Sequence, residues 1–168
     1  MQPPAVGTER GAVEALMAAS RAFVGLAARS LADLDAEVTL PQFRAMVVLA
    51  TRGPQRSADI SAELQVAPST GTRMCDRLIR KGLVRRSRST SDRRVVRLQL
   101  TPSGRALVQE VIGRRREELS RIVAATAAYW DPAVTEALAA FAAAAGEVPE
   151  REWWLGFAGP GADGVEPA

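Results

Sequence analysis

Between residues 8 and 34 apolar side chains return every three or four positions, at Val13, Leu16, Phe23, Ala27, Leu31 and Leu34, with Glu14, Arg21 and Arg29 between them. That period marks one face of an α-helix, so a long amphipathic helix is expected from Thr8 to about Leu34. The stretch TLPQFRAMVVLATRGP repeats the signal over a shorter span. Thr39 stands in the cap position, Pro41 in the first turn, Phe43, Met46, Val47 and Ala50 on one face, and Gly53-Pro54 at the stop. Ser57 is expected to cap a short third helix that buries Ile60 and Leu64. Gln65 to Ala67 then form a turn. Pro68 opens a fourth helix with Met74, Leu78 and Ile79 inward, while Ser69, Thr70, Arg73 and Arg77 point elsewhere. Gly82 ends this helix as a left-handed cap.

Beyond Gly82 the period falls to two. LVRRS and VVRLQLT read as the strands of a hairpin, with Val96, Leu98 and Leu100 alternating with Arg97 and Gln99. The connecting segment RSTSDRR is polar and basic and has no apolar anchor. Thr101-Pro102 restarts a helix, whose stripe of Leu107, Val108, Val111, Ile112, Leu119, Ile122 and Val123 continues to about Tyr129. That length suits an intersubunit helix. Asp131-Pro132 repeats the device before a last helix carrying Val134, Ala137, Leu138 and Phe141 and ending near Gly146. The Gly- and Pro-rich remainder reads as irregular, but Trp153, Trp154 and Phe157 are expected to pack on the body or on a partner subunit.

Two helices joined by a short turn, the second with a polar outer stripe, form a helix-turn-helix, and a hairpin directly behind it is a wing. The expected fold is therefore mainly α with a small β-hairpin wing. Residues 1–8 form a flexible N-terminus, residues 9–146 a single domain and residues 147–168 an irregular tail. Within the domain, the winged helix-turn-helix lobe covers about 39–101, flanked by helical regions at about 9–38 and 102–146.

Charge sharpens this picture. Residues 73 to 97 hold ten Arg and Lys side chains against Asp76 and Asp92, a net +8. The other residues carry 12 cations and 17 carboxylates, a net −5. A local field of this kind attracts polyanions. Histidine is absent, which excludes His-based triads, His proton shuttles and His-ligated zinc. No Gly-rich phosphate loop, paired metal carboxylates or nucleophile arrangement is present either, so neither enzymatic activity nor a cofactor or metal is expected. The single cysteine, Cys75, permits no intrachain disulfide and borders the inward face of the fourth helix, where it reads as a small buried side chain rather than a redox switch. The longest apolar stretches are alanine-rich and fall short of the ~20 residues a membrane span needs, and the N-terminus shows no secretory pattern. No membrane partner and a cytoplasmic location are expected.

The strings LPQFRAMVVL, PSTGTRMCDRLIRKGLVRR and DRRVVRLQLTPSGRAL, in this order of elements, resemble the MarR family of winged-helix transcription regulators, over about residues 10 to 145. The resemblance implies a homodimer with interlocked first and last helices and two winged lobes on one duplex, so the chain is expected to be a sequence-specific dimeric regulator, a repressor by first expectation, of a pseudo-palindromic operator. The alternative is a winged-helix protein-interaction module that does not bind DNA.

A helix fits the major groove of B-DNA and presents its first turns to base edges. Ser69, Thr70 and Thr72 offer short donors and acceptors there. Arg73 and Arg77, four apart, can read guanine or hold phosphates, with Arg73 assigned first to base reading. The amides at the start of this helix favour a phosphate, and Ala67 in the cap position offers no side-chain acceptor. Arg86 and Arg88 are expected to clamp phosphates, while Arg85 and Arg97 solvate the hairpin. The resemblance assigns Arg94 to a narrow minor groove, with Asp92 fixing its guanidinium. It also suggests a lipophilic, phenolic or drug-like effector, whose pocket would draw on Phe23, Phe43, Met46 and Val47. The triple Arg114 to Arg116 reads as solvated helix paired with Glu117 and Glu118.

Overall fold

The computed structural model describes residues 6–32, 37–88 and 96–155. Six α-helices and one hairpin follow in order: α1 (Val6–Ala32), α2 (Leu40–Arg52), α3 (Ser57–Glu63), α4 (Pro68–Arg80), β1 (Val84–Arg88), β2 (Val96–Leu100), α5 (Pro102–Ala125) and α6 (Pro132–Ala144). Short 3₁₀ turns occupy Ala127–Tyr129 and Glu150–Glu152. The first helix already includes Val6 to Thr8, residues expected to be flexible, and the fifth gives way before Tyr129, where Thr126 bonds back to Ile122 and Val123.

The ends of these helices follow from local chemistry, though not always from the residue the pattern suggested. Thr39 holds the cap position of α2, but the bond comes from Gln42, whose Oε1 accepts the Thr39 N–H at 3.1 Å. Ser57 does not cap α3; Arg56 does, one residue earlier. Asp59 accepts its N–H at 3.2 Å and pairs with its guanidinium at 2.7 Å. That arginine holds the Asp59 carboxyl below its ordinary range, chiefly through the side-chain hydrogen bond. The Thr101 hydroxyl accepts from Gly104 N–H at 3.0 Å and donates to Gly82 O at 2.7 Å, tying the start of α5 to the end of α4. Asp131 caps α6 through Val134 N–H.

Gly82, at φ 71°, closes α4 with a pair of reversed bonds, Gly82 N–H to Ile79 O and Leu83 N–H to Leu78 O. This is the Schellman arrangement, and the accompanying apolar contact is supplied by the buried Leu78 and Leu83. The chain is thereby turned straight into β1. The hairpin is antiparallel with Val84 opposite Leu100 and Arg86 opposite Leu98. Gln55 adds a third, one-residue strand, exchanging backbone bonds with Leu98 at 3.0 and 2.7 Å. Arg97 reinforces that edge by donating to Pro54 O, so it braces the wing instead of merely solvating it.

One core joins these elements. Phe43 and Met46 from α2, Ile60 from α3, Leu78 from α4 and Val108 and Val111 from α5 are fully buried, with Leu98 and Leu100 closing the wing side. Cys75 lies in the same core, and burial raises its thiol pKa above the ordinary value. Ellman's reagent at about pH 8, near the ordinary thiol pKa, should therefore leave the folded protein nearly unlabelled and titrate one thiol once denaturant is added. Rapid labelling of native protein would contradict this placement.

The terminal helices are different. No residue of α6 is buried, and α1 exposes Val13, Met17, Phe23 and Val24. By length and composition Glu9–Ala32 is apolar enough to cross a membrane, contrary to the expectation that no stretch would be. Its alanines account for this, diluting the charges along the helix. The helix nevertheless packs Leu26 and Leu31 inward, and Arg29 pairs with Glu118 of α5 at 2.6 Å.

Candidate nucleic-acid interface and adjoining cavity

The crossing of α3 and α4 sets the recognition surface. Gly71 faces Ser61 so closely that a Cβ there would lie 1.9 Å from Ser61 Oγ. Ser61 is buried and its hydroxyl donates to Ser57 O at 2.8 Å. The turn between the helices places Gln65 at φ 54°, a left-handed conformation that favours glycine. With Gly71, Met74, Cys75 and Leu78 buried, the opposite face of α4 is fixed outward: Ser69, Thr70, Thr72, Arg73 and Arg77 are all exposed.

The ten cations of the basic stretch divide by what holds them. Lys81 Nζ donates to Glu37 O at 2.8 Å, and Arg85 faces the Gln99 carbonyl oxygen at 2.6 and 2.7 Å across the hairpin. Arg86, expected to clamp phosphate, pairs with Asp76 of α4 at 2.8 Å. Strand alternation explains this: Arg86 shares the face of Val84, which points toward α4. Arg73, Arg77 and Arg80 are exposed and have no protein partner among the described residues. Arg88 ends β1, but its side chain, like Asp92 and Arg94 of the wing tip, lies outside the described residues.

Ala67 is the N-cap of α4 without a side-chain bond. Its carbonyl nevertheless takes the Thr70 and Gly71 amides at 2.9 and 3.1 Å, and Pro68 has no N–H. The amide left for a phosphate is that of Ser69, fewer donors than the sequence suggested.

A cavity of about 790 Å³ opens between α1, α2, α5 and the residues after α6. Phe23, Phe43 and Val47 line it; Met46 does not, because its side chain turns fully into the core. Arg115, read as solvated helix, instead enters this cavity. Its guanidinium lies 5.9 Å from the Phe43 ring centre, and its Nε is buried with no hydrogen-bond partner among the described residues. Burial lowers its pKa below the ordinary arginine value, with Arg44 adding repulsion. The neighbouring Arg116 pairs with Glu150 and Arg114 with Glu110, not with Glu117 or Glu118. Sequence did hold a signal for Arg115: it stands three after Ile112, four after Val111 and four before Leu119, on the apolar stripe itself.

The tail through Leu155 is ordered against the body. Trp154 and Leu155 amides donate to Thr51 O at 3.0 Å and Ala50 O at 3.2 Å, the free carbonyls at the end of α2. The Trp154 ring covers Gly53, and Trp153 lines the cavity with its Nε1 donating to Val148 O at 2.9 Å. Phe157 lies outside the described residues.

A helix-turn-helix backed by a hairpin wing, with its exposed face cationic, defines the winged helix-turn-helix class of regulators. Residues 38–96 match the family model described as MarR family. The crystal structure of RV1404 from Mycobacterium tuberculosis is 36% identical with a TM-score of 0.73, covering 88% of this chain and 99% of that one. A MarR family protein from Bacillus stearothermophilus is 26% identical with a TM-score of 0.65, covering 82% and 95%. The transcriptional repressor MdtR of Bacillus subtilis is 36% identical over 84 residues, half of this chain and 54% of that protein. The chain belongs to the MarR family. It spans about half the length of the curated relatives it matches.

Proposed function

We propose that this protein is a homodimeric, sequence-specific regulator that binds a pseudo-palindromic operator and represses transcription from it in the cytoplasm. The observation that carries this reading is the outward face of α4, where Arg73, Arg77 and Arg80 stand exposed, without a partner among the described residues, beside a wing anchored to the same core. Arg73 reads a base edge in the major groove, Arg77 contacts base or phosphate, and Ser69, Thr70 and Thr72 contact the adjacent edges and backbone. The apolar side chains left open on α1, α5 and α6, among them Val13, Met17, Ile122 and Phe141, support a second copy as the partner that covers them. Arg86, held by Asp76, orients the wing relative to α4 and touches phosphate with its remaining donors.

The cavity is the proposed effector site. Its volume falls within the ~300–1,000 Å³ of small-molecule pockets. Largely apolar walls with a half-buried arginine, whose Nε has no hydrogen-bond partner among the described residues, favour a lipophilic or phenolic compound carrying a negative charge. An effector that binds better when the two recognition helices are off the ~34–36 Å spacing of one duplex turn shifts the population away from DNA.

Fluorescence anisotropy with the protein's own upstream DNA tests the central reading. Binding should weaken steeply with salt, by about 0.9 log units per log unit for each phosphate contacted. Arg77→Ala should shallow that slope by about 1 for each copy whose Arg77 holds a phosphate. Salt-insensitive association, or none with any upstream fragment, would point to a protein-interaction module instead.

A further inference from the structure

The segment after α6 meets the cavity with an acid and an aromatic ring. Glu150 pairs with Arg116 and also faces Arg115, Glu147 lies 3.6 Å from Arg44, and the Trp153 indole forms part of the wall. Three arginines are thus answered by two tail carboxylates. The same segment then bonds to the last carbonyls of α2, only a few residues before Gln55, which pairs with the wing strand at Leu98.

We propose that Glu147–Leu155 is a strap acting as a tethered competitor for the cavity arginines, so that an anionic aromatic ligand binds by displacing its carboxylates and loosens its hold on the end of α2. This rests on the reading of the cavity as an effector site and names what such an effector must outcompete. The chemistry is charge exchange. The ligand anion replaces Glu150 on Arg116, and it gives the unpartnered Arg115 Nε the acceptor it lacks. A neutral aromatic of the same shape meets no such competition. Loss of the strap from Ala50 O and Thr51 O is felt at Gly53-Pro54-Gln55, the link that bears the wing edge.

Two probes with one aromatic body separate the charge effect from simple opening of the cavity: 8-anilinonaphthalene-1-sulfonate, and the uncharged N-phenyl-1-naphthylamine. In full-length Glu147→Gln/Glu150→Gln protein the sulfonate should bind about tenfold tighter than in wild type, since two nearby like charges are removed at short range. The neutral probe should change by less than about twofold, and Glu147→Asp/Glu150→Asp should behave as wild type, which also controls for folding. Adding Arg116→Met, which removes the guanidinium that Glu150 occupies, should diminish the gain. An unchanged sulfonate affinity, equal tightening of both probes, or a gain undiminished by Arg116→Met would each overturn the strap as competitor. No DNA is present in these titrations, so their failure is distinct from failure of operator binding.

Discussion

Arg73→Ala should lower operator affinity by roughly 10²-fold, and Arg73→Ala with Arg94→Ala by about 10³-fold or more, with the helical circular-dichroism spectrum unchanged. The magnitude follows from geometry. A bidentate arginine contact discriminates its base by about 1–3 kcal/mol, and a two-fold dimer presents the contact twice. No described residue pairs with the Arg73 guanidinium, which is exposed on α4. Loss of affinity therefore measures the DNA contact and not a collapsed lobe. The two substitutions should also differ in kind. Removing Arg73 relaxes preference at one base position per half-site, whereas removing the wing arginine weakens preference for narrow, A·T-rich minor groove. Arg10→Ala, at a residue paired with Glu14 on α1, serves as the charge-matched control and should change affinity little. Titration of each variant against operator and scrambled duplexes at fixed salt is the measurement; equal affinity for wild type and the double variant would remove the basis for the proposed function.

The second large effect is on stability. Gly71→Ala should destabilise the protein by about 2–3 kcal/mol, because the new methyl would sit 1.9 Å from Ser61 Oγ, 2.9 Å from its Cβ and 3.3 Å from its Cα. The backbone contact means that rotating the serine hydroxyl away does not suffice; α3 and α4 must separate. Separation opens the core at Ile60 and Leu78, which are fully buried. Ser61→Gly in the same chain removes the two nearest atoms and should recover part of the loss, and a double-mutant cycle in urea gives the coupling. Additive effects of the two substitutions would show that the helices do not cross at this pair. The variant should also bind DNA less well than its stability explains, since the α3–α4 crossing sets the direction in which Arg73 projects.

Much of the lobe was legible in the chain because its elements are marked by strong local chemistry. Pro68, Gly82, Thr101-Pro102 and Asp131-Pro132 fix helix ends within a residue or so, and the two-residue period of Val96, Leu98 and Leu100 identifies the strand. The outward stripe of α4 followed from the same periodicity. The caps of α2 and α3 were less legible because Gln42 and Asp59, three residues inside their helices, supply bonds that the residue in the cap position does not. A cap motif is reciprocal, and reading one end of it misplaces the other.

By itself the sequence determined where helices begin and end, that the hairpin follows the helix-turn-helix, and that positive charge is concentrated on this one stretch. These depend on covalent conformation, period and composition, all of which are local. Tertiary structure alone decided which cations the protein itself engages. Arg86 is tied to Asp76 and Arg97 to Pro54, and Arg115 is carried into a cavity while Met46 is turned away from it. Each of these outcomes joins residues distant along the chain or distinguishes neighbouring turns of one helix. A period of 3.6 says which residues share a face, but only the packing of that face against its neighbours says whether a side chain meets core, cavity, carboxylate or open solvent.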